Sequence, residues 1–219
     1  MAIPVKYRKS PELIATYDWT DVASGLGFVD VKGYVTDDYS GVKNYHLGTS
    51  DLYSSNVESL SESSVLNVYV QKVDVDFDAS PFQFPRTIKG TGTINFCAGI
   101  RKGSGTGADY WGYYDIKLKK WDGTTETEIA AASGAIVENS STGDKETIQC
   151  VPLTIPETRF EAGETLRLTM QGYVKSDGTD AVSSVLGHDP QNRDGTYIVP
   201  TSDKLMTKFN FHCPFKIRI

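Results

Sequence analysis

Residues 205–219, LMTKFNFHCPFKIRI, alternate apolar and polar side chains from end to end. The odd positions read Leu205, Thr207, Phe209, Phe211, Cys213, Phe215, Ile217 and Ile219; the even ones read Met206, Lys208, Asn210, His212, Pro214, Lys216 and Arg218. Successive side chains of a strand point to opposite faces, so this period of two predicts a strand with one face buried and one wet. At about 3.3 Å per residue it would span roughly 50 Å, more than a usual strand, so a bend is expected. Pro214 is the place for it, because proline cannot donate to a ladder and is tolerated at edges or bulges.

The same period recurs upstream. Leu166, Leu168, Met170, Gly172 and Val174 alternate with Arg167, Thr169, Gln171 and Tyr173, after a turn at Glu161-Ala162-Gly163-Glu164. Ile88, Gly90, Gly92, Ile94, Phe96, Ala98 and Ile100 form a second inward set, and Tyr110, Tyr114, Ile116 and Leu118 a third, the last ending at the hairpin signal Asp122-Gly123. In residues 66–77 the inward set is Leu66, Val68 and Val70, then Val73, Val75 and Phe77. The phase slips by one residue at Gln71-Lys72, which predicts a β-bulge there. Residues 27–36 and 147–153 are further strand candidates, residues 99–109 and 139–145 read as hairpin or loop tips, and Ser-rich residues 50–64 read as a long loop.

Composition agrees with these registers. Thr, Val and Tyr number 21, 18 and 12 among 219 residues, against 12, 12 and 3 for Leu, Ala and Met, so strand formers outweigh helix formers. No second domain is marked by a linker, repeat or charge block. The expected fold is all-β, an antiparallel two-sheet β-sandwich of jelly-roll type, with eight or more strands in one domain over residues 13–219. Residues 1–12, basic and punctuated by Pro4 and Pro11, are expected to be an arm that reaches a neighbouring subunit or shell. No 18-residue apolar run or signal-peptide core is present, so neither a spanning helix nor a leader is expected.

The net charge of -6, with dispersed cations, argues against a nucleic-acid groove. Cys97, Cys150 and Cys213 lie far apart with no Cys-x-x-Cys spacing, so they read as reduced thiols packed as small apolar groups, which fits synthesis in the cytosol. No nucleophile elbow, zinc-protease helix or phosphate loop occurs, and His46, His188 and His212 are the only neutral-pH bases. No cofactor is implied. His212 belongs to the wet face of the last strand. Asp189, Asn192 and Asp194 offer hard oxygens within six residues, but without a bidentate glutamate they read as a loop held by Asx turns, with a bound cation the lesser reading. Glu126 with Glu128, and Asp74 with Asp76 and Asp78, share strand faces; glycoside hydrolysis needs carboxylates opposed across a cleft, so a solvated sheet face is the better reading.

Residues 109–114, DYWGYY, place Trp111 and Tyr113 outward beside Lys117 and Lys119. Outward aromatic rings mean a loop folded over them, a subunit or partner interface, or a carbohydrate platform.

Three segments, residues 157–170 (ETRFEAGETLRLTM), 187–196 (GHDPQNRDGT) and 211–219 (FHCPFKIRI), together with the Trp121-Asp122-Gly123 hairpin, resemble β-sandwich virion structural proteins of tailed bacteriophages, of the capsid decoration, auxiliary or tail-associated kind. The resemblance implies a jelly-roll-like subunit made in the host cytoplasm, a symmetric homo-oligomer with a trimer foremost, and contact with other virion proteins such as the major capsid protein. It brings no catalytic residues. Residues 50–64 and the Trp111 cluster fall outside it. The alternative is a carbohydrate-binding or receptor-binding module that uses Trp111 and Tyr113.

Overall fold

The computed structural model describes residues 25–38, 40–55, 58–63, 67–102, 109–139, 145–177, 181–191 and 209–217. The arm at residues 1–12, and Asn192 and Asp194 of the candidate cation loop, lie outside the described residues. Every regular element among the described residues is a strand: β1 (Leu26–Asp37), β2 (Lys43–Gly48), β3 (Glu58–Ser63), β4 (Val70–Ala79), β5 (Arg86–Lys102), β6 (Tyr110–Trp121), β7 (Glu126–Ser133), β8 (Val137–Asn139), β9 (Lys145–Phe160), β10 (Thr165–Ser176), β11 (Val182–Gly187) and β12 (Asn210–Lys216).

These strands join in the order β3-β11-β5-β12-β1-β2-β4-β10-β6-β7. Two long strands organise the order. Along β5, β9 runs antiparallel from Arg86 to Ile100; a strand has two edges, so β12 (at Ile88 to Asn95) and β11 (at Cys97 to Lys102) share the other, end to end. On β6 the full length pairs with β10, while β7 and β8 divide the opposite edge. All pairings are antiparallel except β2 with β4, which meet in parallel at His46 opposite Asp78 and Leu47 opposite Ala79, so the sheet is mixed.

The inward sets converge on one core. Val31, Phe77, Ile94, Phe96, Ile116, Leu118, Leu153, Phe160, Leu168, Met170, Phe209 and Phe211 are buried together. Across it, β6 and β10 lie over β5 and β11 without pairing to them. The Tyr114 hydroxyl shares a hydrogen bond with Ser184 at 2.7 Å, and its ring meets Phe96 edge to face at 5.6 Å. Burial pushes the Tyr114 phenol far above its ordinary pKa, ahead of the opposing hydrogen bond from Ser184. The close approach depends on Gly172, where an added Cβ would stand 2.5 Å from the Ser184 oxygen and 2.8 Å from the Tyr114 ring.

The bulge expected at Gln71-Lys72 is there: Gly172 faces Val73 and Tyr173 faces Gln71, so Lys72 is the extra residue. Pro214 sits in register with Phe28 on one side, while on the other the ladder breaks between His212 and Phe215. The strand is nonetheless internal, paired to β1 and β5, and the extra residues at the break lie on β5 between Ile88 and Thr93, Gly90 among them with φ 123°. The hairpin at Asp122-Gly123 forms, with Gly123 at φ 99°. Asp122 Oδ1 accepts hydrogen bonds from the Thr125 and Thr124 amides, which hold the exposed carboxyl below its ordinary range.

Four expectations are corrected. Residues 58–63 are strand, because β11 supplies a ladder that a polar sequence cannot announce. Residues 99–102 are strand and not a loop tip, since β5 continues between β9 and β11. Val68 is 61% exposed and β4 begins only at Val70, opposite buried Val174, so the inward register starts at Val70 and resumes at Val73 after the bulge. Cys150 is exposed, on the outward phase of β9, whereas Cys97 and Cys213 are packed in the interior; burial pushes the Cys213 thiol up to about 12.

Candidate functional site: the outward face of β4, β10 and β6

On β6 the inward phase is Tyr110, Gly112, Tyr114, Ile116 and Leu118, leaving Trp111, Tyr113, Asp115, Lys117 and Lys119 outward and partly exposed. Pairing then decides their neighbours. Tyr113 stands opposite Tyr173 and Trp111 opposite Lys175 on β10. The two tyrosine rings stack with centroids 5.0 Å apart and planes 8° apart, and Tyr69, just before β4, meets Tyr113 edge-on at 5.0 Å. The Lys175 ammonium lies 4.7 Å from the Trp111 ring centroid and 5.8 Å from that of Tyr69. Desolvation raises the phenol pKa of Tyr69, Tyr113 and Tyr173, so all three remain neutral hydroxyls.

Tyr69, Tyr173 and Lys175 escape sequence reasoning for one reason. Tyr173 and Lys175 have the outward phase of their strand, but only the β6–β10 register brings them to Trp111 and Tyr113. Tyr69 also answers the question of a cover: the segment before β4 leans on Tyr113, so the rings are partly covered and partly presented.

The other end of the same face is charged. Arg167 on β10, its side chain 13% exposed, donates two hydrogen bonds to Asp78 at 2.6 and 2.7 Å, a further one to Glu126 of β7, and lies 3.5 Å from Asp76. Its guanidinium also covers the Trp121 ring at 4.3 Å. The Asp78 hydrogen bonds foremost hold this guanidinium charged. Thr169 donates to Asp76 at 2.5 Å, and Lys119 donates to Glu126 at 2.7 Å. The Lys119 hydrogen bond first, and Arg167 after it, lower the Glu126 pKa.

Three of the carboxylates singled out from sequence, Asp76, Asp78 and Glu126, are therefore engaged by Arg167. A glycosidase acid must be held protonated, and Glu126 is held ionised. Glu128 stands opposite Lys119 on the neighbouring strand. A shallow groove of about 300 Å³ opens where β2 diverges from β4, lined by Lys43, Asn44, His46, Asp74, Asp76 and Arg167 among others. Lys117 lies between the two ends, opposite Thr169 and Ala131.

Asp189 is buried, and its Oδ1 accepts from the Gln191 amide at 3.2 Å, an Asx turn as expected. Among the described residues no group of three or more His, Cys, Asp or Glu side chains is arranged to hold a metal. His188 is buried beside Tyr45 and Phe77. His212 stays on the wet face, its Nδ1 2.6 Å from Asp30 and its ring stacked on Phe28 at 4.4 Å.

No family model matches the chain, and no curated protein matches it. Solved structures do. An aminopeptidase from a marine sediment archaeon, Thaumarchaeota archaeon, is similar over 89% of this chain and 37% of its own, at 11% identity and a TM-score of 0.53. A CocE/NonD family hydrolase from Staphylococcus aureus is similar over 87% of this chain and 37% of its own, at 12% identity and a TM-score of 0.46. The VP2 protein of infectious bursal disease virus is similar over 100% of this chain and 41% of its own, at 14% identity and a TM-score of 0.35. This chain thus spans little more than a third of the hydrolases, and the aminopeptidase likeness is one of fold.

Proposed function

We propose that this chain is a non-enzymatic virion structural protein of a tailed phage, a β-sandwich of jelly-roll type that assembles as a homo-oligomer, with a trimer foremost, and coats or decorates the particle. The halves built on β5 and on β6 are then the two layers, with Tyr114, Ser184 and Gly172 at their closest approach. The sequence resemblance of residues 157–170, 187–196 and 211–219 supplies the virion part of the reading. The observation that carries the attachment part is the aromatic end of the outward face.

The orientation of the rings favours a protein partner over a sugar. A sugar platform needs an open aromatic face for the pyranose ring, but Tyr113 has one face on Tyr173 and Tyr69 against it, and Trp111 has Lys175 over its ring. What remains outward is an amphipathic surface of ring edges, hydroxyls and one ammonium, the composition enriched at protein interfaces. The major capsid protein is the partner we assign to it.

The test is the position of the protein in an electron-microscopy map of the particle, with Trp111→Ala beside the parent chain. Density on the capsid that disappears in the variant, with the fold intact by circular dichroism, is the expected result. Binding to glycan arrays that is lost in Trp111→Ala, with no binding to particles, would replace this reading with the carbohydrate-binding one.

A further inference from the structure

The groove between β2 and β4 is a gap in the sheet itself. These strands meet at His46 with Asp78 and Leu47 with Ala79, and among the described residues β4 has no other partner on that edge, although its opposite edge pairs with β10 from Val70 to Asp78. A strand directs alternate amides and carbonyls to each edge, so Lys43 to Tyr45 and Asp74 to Asp76 turn backbone donors and acceptors toward one another across a space of about 300 Å³. The inward side chains Tyr45 and Val75 pack against the core and form its floor. Asp74, Asp76 and Asp78 form the rim on β4, facing Lys43, Asn44 and His46 on β2. The β4 rim keeps an excess of negative charge: Arg167 is shared among Asp76, Asp78 and Glu126, and the partners of Asp74 are the side-chain amides of Gln71 at 2.7 Å and Gln171 at 3.4 Å.

We propose that residues 5–10 of a neighbouring copy lie in this gap as an added strand. The inference rests on the oligomeric reading above and says how the copies join. Three observations select the occupant. Residues 5–10, VKYRKS, stand between Pro4 and Pro11, and prolines bound a segment that pairs on both edges. Within it Val5 and Tyr7 alternate with Lys6 and Arg8, and Lys9 follows, so a strand here turns apolar side chains to Tyr45 and Val75 and cations to the aspartate rim. Residues 1–12 carry three cations against one carboxylate, Glu12, in a chain whose net charge is -6, which makes them the stretch that an acidic rim attracts. Reach then decides whose arm it is. Lys43 is in register with Asp37, so the gap opens at the end of β1 remote from Leu26, about 36 Å away at about 3.3 Å per residue. A chain seating its own arm would have to draw residues 11–24, about 46 Å at full extension, most of the way straight. A neighbour's arm is free of that constraint. When each copy gives one arm and receives one, the contact is heterologous and closes into a ring, the geometry of a trimer.

Two measurements on the full chain test it. In sedimentation equilibrium at low salt, Lys6→Glu with Arg8→Glu weakens self-association by about tenfold or more, with the fold intact by circular dichroism; Asp74→Lys does the same, and the three substitutions together associate more tightly than either part. Carbodiimide treatment of isotopically light and heavy copies, mixed at low concentration and then concentrated, joins the Lys6 or Lys9 amine to the Asp74 carboxyl in light-heavy pairs. Parent-like association of the arm variant, links confined to single chains, or a combined variant no tighter than its parts overturns the proposal. A parent chain that is monomeric and still coats particles overturns it too, and leaves the virion reading standing. Association restored in the combined variant of a chain that binds no particle keeps this gap as the joint between copies and removes the virion reading.

Discussion

The two outward faces are built on the same kind of strand and differ in what their side chains do for one another. On β4, β10, β6 and β7, outward residues reach across strands: Arg167 ties three strands through Asp76, Asp78 and Glu126, and Tyr113 stacks on Tyr173. On β9 and the facing stretch of β5, the central outward residues Cys150, Pro152, Thr154, Thr91 and Thr93 are short and uncharged. The first face spends its side chains on its own sheet. The second leaves its side chains available to something else.

The comparison is broken most severely at Arg167. Arg167→Met removes the cation shared by Asp76 and Asp78 of β4 and Glu126 of β7 and leaves three carboxylates without it. Breaking a fully buried pair costs roughly 3–5 kcal/mol; these carboxylates stay 28–38% exposed, so we expect about 2–3 kcal/mol in urea unfolding. Arg167→Lys recovers only part, because an ammonium cannot bond Asp78 through two parallel N–H groups. A loss below about 0.5 kcal/mol, the range of ordinary surface substitutions, would make the first face as passive as the second.

Trp111→Ala is expected to cost about 1 kcal/mol of stability, the sum of a half-buried ring and its contact with Lys175. Its effect on particle binding is expected to exceed that on folding. Glu126→Gln is smaller, about 0.5 kcal/mol at neutral pH once solvent screening of a side chain 35% exposed is allowed for. Its sign with pH is fixed. The Lys119 hydrogen bond depresses the Glu126 pKa, so its contribution is complete above the ordinary glutamate value of about 4.3 and fades as pH falls through the depressed one. Unfolding followed from neutral to acid pH should show the parent and variant curves converging at the acid end.

How much of this was legible in the sequence follows from range. Local alternation reveals β10, β6 and the core of β12, and the slip at Gln71-Lys72 reveals a bulge, because phase is carried by neighbours in the chain. Outward assignment of Trp111, Tyr113, Lys117 and Lys119 is legible for the same reason. The partners Tyr173, Lys175 and Arg167 are not, since residue 167 meets residues 78 and 126 only through strand order. Nor is β3: residues 58–63 read ESLSES and become a strand because β11 offers a ladder. The parallel contact of β2 with β4 has no local signature at all.

The smallest expected effect is the most informative for the second face. Thr154→Val exchanges a hydroxyl for a methyl at an exposed strand position, where β-branched residues are equally at home. Monomer stability should move by less than about 0.5 kcal/mol in dilute urea titrations. Alkylation of the native chain should likewise modify Cys150 with no shift in the unfolding midpoint, and reach Cys97 and Cys213 only after unfolding. If either change costs stability comparable to Arg167→Met, the uncharged face is part of what folds the chain, and its composition needs no partner. If neither does, folding places no demand on Ile148, Cys150, Pro152 and Thr154 being uncharged.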